Sequence, residues 1–100
     1  MSVDEKIQVT KKYCDTEIGV LAQLEYSSYR KGRIEQYAKL KEKLLDLKNI
    51  EDVQQFLDYC KTEEEKITKV KHTQYDDGKA DAFFVVILKL GGLFGIEQEY

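Results

Sequence analysis

Proline is absent from all 100 residues, and histidine occurs once. Without proline the strongest interruption of helical hydrogen bonding is missing, so long helices are permitted anywhere along the chain. The one imidazole, His72, sits among Lys71, Thr73 and Gln74 and reads as a solvated surface group, leaving no partner set for acid–base chemistry near neutrality. Two cysteines, Cys14 and Cys60, are too few for a disulfide framework and match no zinc spacing. Both fall on apolar seams, where burial raises a thiol pKa and makes the sulfur inert, so both are expected to be small core hydrophobes. The opening Met1-Ser2-Val3-Asp4-Glu5-Lys6 lacks the apolar stretch of a secretion signal, and no run reaches the ~18 uncharged apolar residues of a membrane span. A soluble, cytoplasmic protein is the expectation.

What the chain has in abundance is charge, 35% of residues against 42% apolar, with a formal net charge of -3 and a pI near 5.2. That balance suits one globular domain spanning residues 1–100 and argues against a surface that tracks nucleic acid throughout. A basic or mixed-charge protein partner is easier to accommodate. The exception to the charge is Lys79 to Ile96, an apolar block that needs cover on every side, from the preceding helices or from another chain. A homo-oligomer joined through Phe83–Ile96 is one way to cover it.

Helix signals run through the chain. Ser2 with Glu5 fits a capping box, and Val3, Ile7, Thr10, Cys14, Ile18, Leu21 and Leu24 recur at steps of three and four, predicting a helix to about Tyr29. Gly32, within Arg30-Lys31-Gly32-Arg33, reads as a helix C-terminus followed by a turn. Tyr37, Leu40, Leu44 and Leu47, widened by Ile34 and Leu45, mark the clearest amphipathic helix. Asn49 caps a third helix whose buried face is Ile50, Val53, Phe56, Leu57 and Cys60. Thr62-Glu63-Glu64-Glu65 repeats the capping signature for a fourth, and the apolar block supplies a fifth from about Lys79 to Leu90, ended by Gly91-Gly92. The predicted fold is an all-α, compact four- to five-helix bundle. Asp77-Gly78 makes a turn in this reading, but Asp-Gly between β-rich runs is also a hairpin signal. The alternative is therefore α+β, three helices with a C-terminal β-hairpin at about 67–75 and 82–90.

No pattern dictates a chemistry. Asp76-Asp77-Gly78 would need ligands where Thr73 and Phe84 stand to be a calcium loop, and no lysine-serine/threonine pair follows the glycines at 91, 92 and 95 to make a phosphate loop. No catalytic residue, metal or cofactor is expected. Tyr26, Tyr29, Gly32, Tyr37 and Ala38 resemble the turn of a tetratricopeptide unit, with the alanine one position out and no second copy of the pattern. The stretch from Arg30 to Lys48 carries seven basic residues against three acidic ones, but helical geometry mixes the signs around the axis. A membrane-surface helix is disfavoured because the apolar block has only Lys89 as a cation and carboxylates behind it.

Elimination leaves non-catalytic binding, through protein–protein contact of the adaptor, immunity or phage/mobile-element inhibitor type. Seven tyrosines suit such a surface. The candidate binding residues are Tyr26, Tyr29, Arg30, Arg33, Lys41 and Lys48. The alternative is a homo-oligomer holding a small anionic ligand in inter-subunit grooves lined by Tyr26, Tyr29 and Arg33, and a nucleic-acid accessory role ranks third.

Overall fold

A computed structural model describes residues 1–70 and 73–96. These form four helices and no strand: α1 (Val3–Ala22), α2 (Ser28–Leu44), α3 (Ile50–Thr68) and α4 (Gln74–Phe94). Each begins where a short polar side chain can accept a backbone N–H. Ser2 Oγ accepts from Glu5 N at 3.1 Å while Glu5 returns the bond to Ser2 N at 3.0 Å, completing the capping box. Ser27 accepts from Arg30 N (3.0 Å), Asn49 from Asp52 N (2.9 Å) and Thr73 from Asp76 N (3.3 Å). Gly95, at φ 66°, closes α4, and Ile96 N donates to the Gly91 carbonyl at 2.9 Å.

All four helices contribute to one buried cluster. Ile7, Cys14 and Leu21 come from α1, Tyr37, Leu40 and Leu44 from α2, Val53, Phe56, Leu57 and Cys60 from α3. Phe83, Val86, Ile87 and Leu90 of α4 fill the middle. Burying a Leu, Ile, Val or Phe side chain is worth about 1.5–3 kcal/mol, so the apolar block is covered on its inner face by the chain's own helices. α4 is the hub: α2, α3 and α1 all pack on it, whereas α2 and α3 scarcely touch each other.

Several expectations are corrected. The hairpin at 67–75 and 82–90 does not form, because the Thr73–Asp76 capping box starts a helix just before Asp77-Gly78 and carries both residues into its first turns. Thr62 caps nothing: α3 runs unbroken from Ile50 to Thr68, merging two expected helices into one. Gly91-Gly92 likewise lies inside α4. At the other end, the first helix stops at Ala22 rather than Tyr29, because Ser27 opens a new one. Ile50, Leu45 and Leu24, read as apolar-face residues, are about half exposed. His72 lies outside the described residues.

The largest correction concerns Gly32, which sits within α2 and ends nothing. It is buried where α2 crosses α4, and an added Cβ would collide with the Tyr75 carbonyl oxygen and stand 2.9 Å from its carbonyl carbon. Gly78 on α4 is its counterpart: a Cβ there would collide with the Tyr29 carbonyl oxygen and lie 2.8 Å from Arg33 N. Two glycines, one from each helix, thus let the backbones meet.

Candidate functional site

The crossing brings together two of the sequence-predicted binding residues, and it turns them inward. Tyr29 Oη donates to Asp81 Oδ2 on α4 at 2.5 Å. Arg33 donates from Nη1 to Tyr29 Oη at 3.1 Å and from Nη2 to Tyr37 Oη at 3.2 Å, and its Nη2 stands 3.8 Å from Glu17 Oε2 on α1. The guanidinium also lies 5.7 Å from the Tyr37 ring centre. Burial pushes the Tyr37 phenol up to about 12, and burial together with the Asp81 hydrogen bond raises that of Tyr29. Hydrogen bonding to Glu17 raises the phenol of Tyr13 in the same way. Arg33 therefore ties α1, α2 and α4 into one polar network, a role that holds the bundle together rather than presenting a surface.

The other four candidates are scattered. Arg30 Nη1 donates to the Leu24 carbonyl at 2.5 Å and the Ala22 carbonyl at 3.4 Å, closing the end of α1. Tyr26, 68% exposed, lies with its ring centre 5.4 Å from the Arg30 guanidinium. Lys41 pairs with Asp15 of α1, about 16 Å further along α2 than Arg30 at 1.5 Å per residue. Lys48 donates its backbone N–H to Asp52 at 2.8 Å in the α2–α3 connection. Of the six, only Tyr26, Tyr29, Arg30 and Arg33 are neighbours, and three of those are occupied by contacts within the chain.

Both cysteines are buried and free, and burial pushes each thiol up to about 12, so neither is a thiolate nucleophile at neutral pH. Among the described residues no three His, Cys, Asp or Glu side chains are grouped to hold a metal ion, and no helix is long and apolar enough to cross a membrane.

The outer side of α4 lies within Phe83–Ile96, which the sequence offered as a subunit interface but did not include among the candidate binding residues. Packing Phe83, Val86, Ile87 and Leu90 inward turns Leu88 outward, 47% exposed, with Phe84, 39% exposed, one turn earlier. A groove of ≈ 380 Å³ opens there between α4 and α1, lined by Tyr13, Val85, Leu88 and Lys89. Cations stand on aromatic rings along this seam: Lys89 Nζ is 5.0 Å from the Tyr13 ring centre and Lys6 Nζ 4.9 Å from that of Phe94. The signal available in the sequence was the apolar block itself, too wide for one buried face.

Comparison with protein-family models, with curated proteins and with solved structures finds no match for this chain.

Proposed function

We propose that this protein is a non-catalytic binding module that acts by protein–protein contact through the outer side of α4. The observation that carries this reading is the α1–α4 groove, where Val85 and Leu88 line an apolar floor rimmed by the Lys89 ammonium on Tyr13. Apolar centre, aromatic edge and polar rim are the anatomy of a contact surface. The rim calls for a mixed-charge partner whose apolar side chain enters beside Leu88 and whose carboxylates face Lys6 and Lys89. Buried thiols, scattered cations and the absence of a grouped metal-ligand set among the described residues support binding over catalysis.

A second copy of the chain is the alternative occupant, on a specific observation. Phe84 and Leu88 stand exposed one turn apart on α4, so a second α4 laid against them would cover both. The use is that of an adaptor, immunity or inhibitor protein in the cytoplasm, and neither reading needs a cofactor. Nucleic acid ranks below both, since Arg33 and Lys41 pair with Glu17 and Asp15.

A photo-crosslinker at position 88, with one at the exposed Glu42 as control, tests the proposal in extract of the source cells. A discrete adduct specific to position 88, identified by mass spectrometry and competed by unlabelled protein but not by its Leu88→Glu variant, supports it. An adduct of twice the chain mass identifies the second copy. Adducts no different from the control would refute the surface.

A further inference from the structure

α3 is attached differently from the other helices. α1, α2 and α4 all pack on one another, whereas α3 packs on α4 and scarcely touches α1 or α2. The polar network follows the same division. Glu17 of α1, Tyr29, Arg33 and Tyr37 of α2, and Asp81 of α4 are joined by hydrogen bonds and an ion pair, and among the described residues α3 supplies no member. Apolar burial of Val53, Phe56, Leu57 and Cys60 holds α3 in place.

One polar side chain of α3 nevertheless reaches toward that network. α3 and α4 run antiparallel: the Tyr59 ring stands 6.4 Å from that of Phe83, and Ile67, about two turns on, lines the same groove as Lys79. This register sets Glu64 about level with Ala80 and Asp81, on the side of α3 that buries Leu57 and Cys60. Glu64 Oε2 is closed off from solvent and accepts no hydrogen bond among the described residues. No cation there stands within ion-pair distance of it, since Lys66 pairs with Glu63 and Lys69 with Glu65. Asp81 faces it from α4, Glu65 and the protonated Cys60 thiol are its neighbours on α3, and no charged group of α1 or α2 among the described residues faces it. Burial first, then Asp81 and Glu65, raises its pKa above the ordinary 4.5, so it holds a proton under conditions that ionise exposed carboxylates. With that proton the carboxyl is a donor. Asp81 takes the Tyr29 hydroxyl on Oδ2 at 2.5 Å, which leaves Oδ1 to accept.

We propose that Glu64 is a proton-operated latch on α3: the neutral carboxyl donates to Asp81 and joins α3 to the network of the other three helices, and ionisation loosens α3 alone. The ionised form sets two like charges across the α3–α4 seam with one oxygen buried and unsatisfied. A carboxyl whose pKa is higher with α3 docked than with α3 released favours docking fully below 4.5 and loses that contribution as pH rises through the docked value. Acid therefore tightens the bundle, and rising pH releases α3 first, uncovering Phe83 of α4. The latch does not depend on what occupies the α1–α4 groove.

Two NMR measurements on the isotope-labelled full chain test it. Titration of the side-chain carboxyl carbons should place Glu64 above 4.5, and nearer to 4.5 in Asp81→Asn, whose amide oxygen can still accept from Tyr29. Backbone hydrogen exchange, corrected for its intrinsic pH dependence, reads the opening of α3 separately from that of α2. As pH rises through the docked pKa, protection of α3 relative to α2 should fall about tenfold for each unit by which that pKa exceeds 4.5, and Glu64→Gln should abolish the fall. Circular dichroism checks that both variants fold, and if Asp81→Asn does not, the comparison of wild type with Glu64→Gln decides. A Glu64 midpoint at or below 4.5, or one unmoved in folded Asp81→Asn, overturns the latch. So does a pH-dependent loss of protection that all four helices share, or one that persists in Glu64→Gln.

Discussion

Replacing Gly32 or Gly78 by alanine should destabilise this protein, although both lie inside helices, where alanine is normally the better residue. In an exposed helix interior Gly→Ala gains about 1 kcal/mol. At the α2–α4 crossing the new Cβ meets backbone: the Tyr75 carbonyl group at Gly32, and the Tyr29 carbonyl group with Arg33 N at Gly78. A side chain could rotate away, but a carbonyl fixed in a helical hydrogen bond cannot, so the helices must part. Overpacking in a tight interior costs about 1–3 kcal/mol, and an obstacle of backbone on both sides places these sites at the upper end. Setting ~3 kcal/mol against the ~1 kcal/mol propensity gain leaves a net loss of about 2 kcal/mol for each. Gly19→Ala is the internal control, because nothing lies within 4 Å of its added Cβ, and it should stabilise by about 1 kcal/mol. Equilibrium urea unfolding measures all three, with constant slopes confirming that the unfolded state is unchanged. Gly32→Ala or Gly78→Ala at or above wild-type stability would refute the close crossing.

Arg33→Met should cost more than Tyr37→Phe, since the first leaves the Tyr37 hydroxyl buried without its guanidinium partner, a loss of about 1–3 kcal/mol, whereas the second leaves Arg33 with Tyr29 and Glu17. Urea midpoints in the reverse order would show that the network does not hold the helices. Glu64 on α3 has one carboxylate oxygen buried without a hydrogen-bond partner among the described residues, and burial, then Asp81 and Glu65, raise its pKa above the ordinary 4.5. An acid with a raised folded pKa stabilises the fold fully below its ordinary value and loses that contribution as pH rises through the folded one. Glu64→Gln should therefore be more stable than wild type at pH 7, with the difference shrinking as pH falls toward 4.5. Thermal melts across that range check it, and a gap independent of pH would contradict the shift.

The sequence by itself determined that this chain is helical, where helices begin at Val3 and Ile50, and which residues form most of the core. Those properties rest on interactions within one turn: a Ser2–Glu5 capping box, or Cys14 and Leu21 recurring on one side of a helix, carries its meaning in local spacing. Its apolar block was legible as needing cover, and both cysteines as buried. Tertiary structure decided what the same local signals left open. Gly32 after basic residues looks like a helix end, and only the arrival of Tyr75 from 43 residues away makes it a crossing point. Tyr29 and Arg33 look like surface groups until Asp81 and Glu17 are brought beside them. Gln36 stands four residues before Leu40, in line with the core stripe. It lines a gap instead, because α3, seated on α4, leaves one beside α2. Local geometry sets which backbone groups are satisfied; which side chains then meet depends on distant segments, and the spacing within one segment carries no record of those.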